Sequence, residues 1–385
     1  MESSRLKVLM ISNDRNEAVP GTRAAERMKE YGELVEELHI VLMSDAKHGL
    51  KNVQLSKNTW VYPTNSPSRW LRPFGAAKLG KKLVFDKKFV RGGSLITAQD
   101  PFECGWAGRS IKNAWRIPLE VQLHTDPFSP YFSGFLNSIR QKIADKVVRS
   151  ADSIRVVGAP LRDALMQKFS LPEASISVLP IYMDTKKIAE EKAVFDLHAR
   201  YGWLFIVLMV SRLTPEKNIP LGLEAFARLR KFFPDSGLVI VGSGPEEESL
   251  RSKVKELGIK NNVAFAGWQS NLASYYKSAN IFLQTSRFEG YGLSLIEAGI
   301  SGTPVVTTPV GIAQELKNGL EAYICPQNDP EYMFNAMYDL LENNEKRQVL
   351  AANLKHKLDT ILISKEEYMQ RLLAAWIETA EKVKA

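Results

Sequence analysis

The chain has 385 residues, enough for two or three domains, and its 45% hydrophobic and 24% charged residues exclude a disordered or fibrous protein. No apolar run is long enough to span a bilayer, and the N-terminus lacks the layout of a signal peptide. The two cysteines, Cys104 and Cys325, give neither a disulfide framework nor a Cys-based zinc site, so we expect a cytoplasmic protein.

The net charge of +8 is concentrated in the first half of the chain. Residues 1–190 contain 29 Lys or Arg against 20 Asp or Glu, whereas the remainder is close to balance. Within that half, residues 69–91 hold eight basic residues and a single acid, Asp86. Such an asymmetry indicates an anionic partner, which is a membrane, a nucleic acid or a phosphorylated substrate.

Short apolar segments alternate with helical patterns along the first half, which is typical of a parallel sheet wrapped by helices. The predicted strands lie at residues 6–11, 38–43, 94–97, 120–124, 153–157 and 175–179. The alternation restarts after a polar stretch at 181–200, which we interpret as a linker. The later strands are predicted at residues 203–211, 238–241, 263–266, 281–284, 304–307 and 322–325. We therefore expect two doubly wound α/β domains.

A last helix is predicted after Ser364, which forms a capping-box pattern with Glu367. Its apolar stripe includes Trp376 and ends at Val383. Such a stripe must dock on something, either its own domain or the first domain, and the pattern alone leaves both open.

The segment 287–306 places Glu289 and Glu297 on either side of a Gly-rich turn. Gly290 and Gly292 suit a loop that approaches a ligand closely, and the helix that follows offers its first N–H groups to a phosphate. Two carboxylates beside an anion site suit a nucleotide sugar, which has hydroxyls next to phosphates. The alternative is a Gly-rich turn with two surface glutamates.

Two further motifs follow predicted strands, at the sheet edge where such folds bind ligands. Arg212 and Lys217 lie five residues apart and could clamp a diphosphate, or could be solvated loop cations. Gly242 and Gly244 flank Ser243 and permit close packing of a nucleotide, although the third glycine of a dinucleotide fingerprint is missing.

The first half also places polar residues after its strands. Gly21 lies in a turn before a helix, and His124 follows a strand, where it could contact a substrate, act in acid–base catalysis or serve the structure. The other polar residues of this kind are Gln99, Asp100, Glu103 and Asp126.

Together these residues resemble the retaining glycosyltransferases of glycosyltransferase family 4, also described as glycosyl transferases group 1, over nearly the whole chain. The family's Glu-x7-Glu motif matches Glu289 and Glu297, and its Arg and Lys pair matches Arg212 and Lys217. Its N-domain histidine matches His124. Its Gly-rich loop matches at Gly21, where one glycine stands in place of the usual pair.

The resemblance implies a GT-B fold, in which two Rossmann-like domains face each other across a cleft and the C-terminal helix crosses back to the N-domain. We place the acceptor-binding domain at residues 1–190 together with 365–385, and the nucleotide-sugar-binding domain at 191–364. The implied catalytic residues are Glu289, His124, Arg212 and Lys217. The implied donor-binding residues are Glu297, Gly292, Leu293, Ser294, Gly242, Ser243, Trp268 and Gly21.

In this assignment Glu297 would hold the ribose, Glu289 the donor sugar, and Trp268 would touch the base. The chain contains no Asp-x-Asp motif, which agrees with a reaction in which cations and a helix terminus, without a metal or cofactor, stabilise the leaving group. The implied activity is hexose transfer to a glycan or lipid-linked acceptor, in cell-surface polysaccharide or glycolipid synthesis.

Two other functions remain open on the sequence. One is a non-catalytic module that binds a nucleotide sugar or a partner protein, and the other is a GT-B sugar-nucleotide epimerase. The basic segment 69–91 suits an anionic membrane at the inner face or a solvated helix with a core-facing stripe. No motif for reading nucleic acid accompanies it, so we expect no nucleic-acid partner.

Overall fold

The computed structural model describes residues 4–129, 132 and 134–382. The chain divides into two compact units, Met1–Ile181 with Ser364–Ala385, and Tyr182–Ile363. Each unit is built around one sheet flanked by helices, so the predicted α/β fold class is confirmed. Among the described residues, no helix has the length and apolar content needed to cross a membrane.

The first unit contains an eight-stranded sheet in the order β3-β4-β2-β1-β5-β6-β7-β8. All neighbouring strands are parallel except β3 and β4, which form an antiparallel pair at one edge. The strands are β1 Ser4–Ser12, β2 Val35–Leu42, β3 Val53–Ser56, β4 Thr59–Pro63, β5 Ser94–Ala98, β6 Leu119–Leu123, β7 Ser153–Val156 and β8 Ile176–Val178. The helices are α1 Arg23–Glu33, α2 Arg72–Asp86, α3 Glu103–Trp115, α4 Phe135–Ser150 and α5 Ala159–Phe169.

The second unit contains a six-stranded parallel sheet in the order β11-β10-β9-β12-β13-β14. Its strands are β9 Phe205–Val210, β10 Ser236–Val241, β11 Val263–Gly267, β12 Ile281–Gln284, β13 Val305–Thr307 and β14 Tyr323–Ile324. Its helices are α6 Thr185–Glu190, α7 Leu197–Tyr201, α8 Ile219–Phe232, α9 Glu247–Glu256, α10 Ala273–Ser278, α11 Leu293–Ile300, α12 Pro330–Glu342 and α13 Asn344–Ile361. The central strand β9 is apolar throughout because helices cover both faces of a parallel sheet.

The polar stretch predicted as a linker is not an extended tether. It contains α6 and α7, and Leu197 of α7 is fully buried in the second unit. The Ser274 hydroxyl of α10 also accepts a hydrogen bond from Val194 N at 2.8 Å. The polar composition therefore concealed two short helices, of which α7 packs on the second unit through Leu197.

The last helix, α14 Lys365–Glu381, belongs to the first unit, as the resemblance implied. Ser364 caps it by accepting a hydrogen bond from Glu367 N at 3.1 Å. The stripe of α14 is buried through Leu372 and Trp376, whereas Val383 lies outside the described residues. The alternative, in which this helix packs on the second unit, is wrong.

Candidate functional site

The candidate residues of the second unit lie at one edge of its sheet. Strands β10, β9 and β12 are parallel neighbours, so their carboxyl ends meet at the same edge. The three loops that leave these ends carry Gly242, Lys217 and Glu289 in turn. The topology therefore gathers motifs that are far apart in the sequence.

The centre of this edge is an ion pair between Lys217 and Glu289. Lys217 Nζ donates to Glu289 Oε1 at 2.7 Å, and the two side chains are only 12% and 11% exposed. Ser286 Oγ donates to the same oxygen at 2.7 Å. A charge-assisted pair that is shielded from water in this way holds both side chains in a defined position.

Backbone contacts hold the two loops of this pair together. Arg287 N donates to Glu216 O at 2.8 Å, and Thr285 Oγ1 donates to Lys217 O at 2.8 Å. The loops line a small recess that also includes Ser211 and Ser294. The Lys217 and Glu289 motifs, predicted separately, thus form one structural element.

The structure gives the two members of the predicted Arg–Lys pair different surroundings. Arg212 is 75% exposed, and its Nη2 lies 3.2 Å from Glu216 Oε1. Lys217 faces inward on Glu289 instead. Of the two cations, only Lys217 is held against the recess in this structure.

Glu297 lies on α11, where its Oε2 accepts a hydrogen bond from Tyr276 OH at 2.8 Å. Burial, and the nearby charge of Glu297, raise the pKa of the Tyr276 hydroxyl well above its usual range. Tyr276 therefore stays a neutral donor that orients the carboxylate. No motif pointed to this partner, because Tyr276 lies on a separate short helix, α10.

The N-terminus of α11 begins at Gly292, whose φ of 97° is favourable only for glycine. Leu293 and Ser294 form the first turn, where backbone N–H groups lack partners within the helix. Ser294 lines the same recess as Lys217 and Glu289. A helix N-terminus, whose N–H groups suit an anion, thus lies beside the ion pair.

Gly242 follows β10 with a φ of 137°, and a Cβ there would lie 1.8 Å from Ser211 O. Glycine is required because the two loops touch through their backbones. Ser243 is exposed beside it, and Trp268, just after β11, is 71% exposed. These residues border the edge from the side opposite to β12.

In the first unit, Gly21 and His124 follow β1 and β6 at the carboxyl edge of the sheet. Gly21 has a φ of 84° and precedes Thr22, which caps α1 through Ala25 N. Desolvation by the surrounding protein lowers the pKa of His124, and the positive charges of Arg155 and Arg27 lower it further. Part of the side chain is nevertheless exposed. The imidazole is therefore neutral near pH 7.

The carboxylates suggested for this edge are turned toward other protein groups. Asp100 accepts hydrogen bonds from the backbone N–H groups of Phe102 and Cys104, at the start of α3. Asp126 closes a local turn through Phe128 N at 2.8 Å. The remaining one, Glu103, is paired with Arg140 at 3.0 Å. All three carboxylates are thus engaged in contacts within the first unit.

A residue that the sequence analysis missed is Glu17, which is fully buried between β1 and α1. Its Oε1 accepts a hydrogen bond from Gln99 Nε2 at 3.0 Å, while its Oε2 has no partner among the described residues. Burial raises the pKa of this carboxyl to about 7. Its polar neighbours in the sequence gave no indication of burial.

Within the part of the chain that the structure describes, no group of three or more His, Cys, Asp or Glu side chains is placed to hold a metal ion.

Part of the second unit is similar to a known family of proteins. Residues 196–357 match the family model described as glycosyl transferases group 1. An uncharacterized glycosyltransferase of Haemophilus influenzae is 31% identical over 172 residues, which are 44% of this chain and 47% of that protein. The chain thus spans about half the length of that relative.

Two further similarities cover more of the chain. The alpha-monoglucosyldiacylglycerol synthase of Acholeplasma laidlawii is 22% identical over 339 residues, 81% of this chain and 83% of that protein. The crystal structure of Anabaena HepE in complex with UDP and glucose superposes with a TM-score of 0.74 at 18% identity, over 96% of this chain and 98% of that one.

The two sheets and this superposition define a fold of the GT-B class. Within this fold, residues 196–357 match the model of the glycosyl transferases group 1 family.

Proposed function

We propose that this protein is a retaining glycosyltransferase that moves a hexose from a nucleotide-diphosphate sugar to a glycan or lipid-linked acceptor. The observation that carries the proposal is the Lys217–Glu289 pair beside the N-terminus of α11. A cation, a carboxylate and free helix N–H groups within one recess match the phosphates and hydroxyls of such a donor.

In this proposal the second unit binds the donor. Lys217 and the first turn of α11 stabilise the diphosphate, and Arg212 joins them when its exposed side chain turns from Glu216 to the ligand. Glu289 accepts hydrogen bonds from the sugar hydroxyls, and Glu297 accepts them from the ribose. The Gly242–Ser243 turn lies against the nucleotide, and Trp268 covers the base.

The chemical step breaks the bond between the sugar C1 and the diphosphate oxygen, while an acceptor hydroxyl oxygen forms a new bond to C1 on the same face. The acceptor proton passes to the departing diphosphate. Negative charge grows on the leaving group, and Lys217 with the helix N–H groups stabilises it without reorganisation, because the fold already holds them in place. We assign no metal to this step.

The first unit binds the acceptor in this proposal. His124, neutral near pH 7 because its pKa is lowered, suits a hydrogen bond to a sugar hydroxyl better than a charge contact. Gly21 leaves the turn before α1 open to a ligand. The similarity to a monoglucosyldiacylglycerol synthase over 81% of this chain supports a lipid-linked acceptor, and with it glycolipid or cell-surface polysaccharide synthesis at the inner membrane face.

The test begins with thermal unfolding in the presence of UDP, GDP and ADP and their hexose derivatives, each with and without EDTA. A ligand at 100 times its Kd should stabilise the fold by about 2.7 kcal/mol. The stabilising nucleotide sugar, with the sugar radiolabelled, is then incubated with a bacterial lipid extract or with soluble glycans, and the product's anomeric configuration is determined by NMR.

Transfer with retention, unaffected by EDTA, is the expected result. Conversion of the donor sugar without any acceptor would instead identify an epimerase. Donor binding without turnover on any acceptor would identify a binding module, and inversion of configuration would contradict the retaining mechanism.

A further inference from the structure

Helices α2 and α3 of the first unit pack closely and leave their large rings outside. A Cβ at Gly80 of α2 would lie 2.4 Å from Ile111 Cδ1 of α3, so the two helices approach closely at this glycine. Ala76 and Ala77 are buried on the same side of α2. The core-facing stripe therefore combines these small residues with the buried Leu83 and Val84, whereas the aromatic residues of α2 are exposed.

Two aromatic pairs stand on the exposed side of these helices. Phe74 of α2 meets Trp106 of α3 with ring centroids 4.7 Å apart, and Phe85 meets Trp115 at 6.0 Å. Phe74 and Phe85 are 58% and 69% exposed. They are eleven residues apart, or about 16 Å along the helix. Exposed rings at both ends of one face indicate an interaction surface rather than scattered surface residues.

A groove between the two pairs is basic. It has a volume of about 390 Å³ and is lined by Lys81, Trp106, Arg109, Ser110, Asn113 and Ala114, with no acidic side chain. The Nε of Arg109 is buried and has no hydrogen-bond partner among the described residues. A buried N–H of a guanidinium without an acceptor is unfavourable unless an anion supplies one.

The surface around the groove is also positively charged. Asn113 also lines a second cavity of about 450 Å³, which holds Arg91 and Arg116. The acid in that cavity, Asp152, is already paired with Lys112 at 2.5 Å. Residues 69–91 contain eight basic residues and one acid, Asp86, which is exposed at the end of α2 next to Phe85. The face thus combines exposed rings with a clear excess of positive charge.

We propose that the α2–α3 surface, formed by Phe74, Lys81, Phe85, Trp106, Arg109 and Trp115, docks on a bilayer that contains anionic phospholipids. The rings enter the headgroup region, where aromatic side chains are favourable. Lys81 and Arg109 bind a lipid phosphate in the groove. Charge complementarity favours an anionic bilayer as the partner of this surface, because the surface has an excess of cations. A soluble phosphate would not explain the exposed rings.

The proposal does not depend on glycosyl transfer, and its test measures binding alone. The full chain is sedimented with vesicles of phosphatidylcholine, and with vesicles of phosphatidylcholine mixed with phosphatidylglycerol. The charge variant is Lys81→Gln with Arg109→Gln, and the ring variant is Phe85→Ser with Trp115→Ser. The matched controls are Lys231→Gln with Lys255→Gln, and Phe232→Ser, all exposed positions of the second unit.

We expect binding to the mixed vesicles only. Each removed cation should weaken it about fivefold, so the charge variant binds about 25-fold more weakly. The ring variant should bind at least about tenfold more weakly, and the controls should bind like the parent chain. Circular dichroism establishes that each variant is folded.

Four outcomes would overturn the proposal. They are equal binding to uncharged vesicles, an equal loss in the controls, and undiminished binding of the ring variant. The fourth is a lack of binding to the mixed vesicles together with direct binding of inorganic phosphate or single-stranded RNA, which would assign the groove to a soluble anion or a nucleic acid.

Discussion

Trp376 Nε1 donates a hydrogen bond to Glu120 Oε1 at 3.3 Å, and this contact joins the last helix of the chain to the sheet of the first unit. Both side chains are fully buried. Glu120 also accepts a hydrogen bond from Thr97 Oγ1 at 2.8 Å and lies 3.5 Å from Arg155 Nε. The indole is thus one of the few polar groups around a buried carboxylate, whose burial is favourable only when it is well paired.

Replacing Trp376 by alanine should therefore destabilise the first unit by about 3–5 kcal/mol, because it leaves a cavity and removes a donor from a buried charge. The measurement is urea unfolding followed by circular dichroism. Trp268→Ala removes an equally large ring from an exposed position and should leave the unfolding midpoint nearly unchanged. Equal midpoints for the two variants would show that α14 contributes little to the stability of this unit.

The docking of α14 illustrates what the sequence makes predictable. The apolar stripe that contains Trp376 predicts that one face of α14 is buried. The surface on which this face packs could be identified only from the folded structure. The core strands were equally predictable, because short apolar runs such as β9 and β12 are typical of buried strands in a parallel sheet. The boundaries shifted by a few residues, as in β2, which begins three residues before its predicted start.

The edge hairpin of β3 and β4 was not predicted. Each strand is short, and Val53–Ser56 is only partly buried, so its pattern does not differ from that of a loop. Its hairpin partner, Thr59–Pro63, joins the sheet through a parallel and non-local pairing with β2. Short, half-exposed strands depend on their neighbours more than on their own residues.

The site was predictable in its residue types but not in its pairings. Lys217 and Glu289 were singled out separately, and their contact depends on β9 and β12 being neighbours. Glu17 had no signal at all, because a buried carboxyl within a polar segment looks like a surface residue. Motifs reveal chemistry that many proteins share, whereas tertiary contacts specific to one chain do not appear in them.

Removing either partner of the Lys217–Glu289 pair should abolish most of the proposed transfer. We expect Lys217→Ala and Glu289→Gln each to lower kcat by about 10²–10³, as for the loss of a group that stabilises charge in the transition state. The measurement is transfer of radiolabelled sugar at saturating donor.

The matched control is Glu331→Gln, which breaks an exposed pair with Arg228 in the same unit. It should keep the parent rate, since exposed pairs contribute little. Near-normal rates for both site variants, with folded protein, would refute the proposed function of this edge.

Gly242 should tolerate no side chain. In Gly242→Ala the new Cβ would lie 1.8 Å from Ser211 O, so the loop after β10 must move away from the loop after β9. We expect a loss of nucleotide binding, measured by thermal shift, together with a lower melting temperature.

Gly258→Ala is the comparison for this variant, because Gly258 also has a positive φ, 68°, but nothing lies near its Cβ position. Only the conformational penalty of about 1 kcal/mol applies there. If the two variants bind nucleotide alike, close contact of the two loops is not needed for the donor.

Glu17 should make the stability of the first unit depend on pH. Its folded pKa is raised from 4.5 to about 7 by burial, so the fold favours the protonated carboxyl. Below about pH 4.5 Glu17 is protonated in both states and its contribution to stability is complete. As the pH rises toward 7, the unfolded chain releases this proton while the folded chain retains it, and the free energy of unfolding falls by up to about 3 kcal/mol.

Glu17→Gln keeps the shape of the side chain and removes the charge. The variant should match the parent near pH 4.5 and exceed its stability by up to about 3 kcal/mol at about pH 8, because a neutral amide has no proton to lose. Urea unfolding across this pH range measures the difference, and Glu33→Gln, at an exposed position of α1, is the control. Parallel pH profiles for the parent and Glu17→Gln would mean that Glu17 titrates alike in the folded and unfolded chains, contrary to its burial beside Gln99.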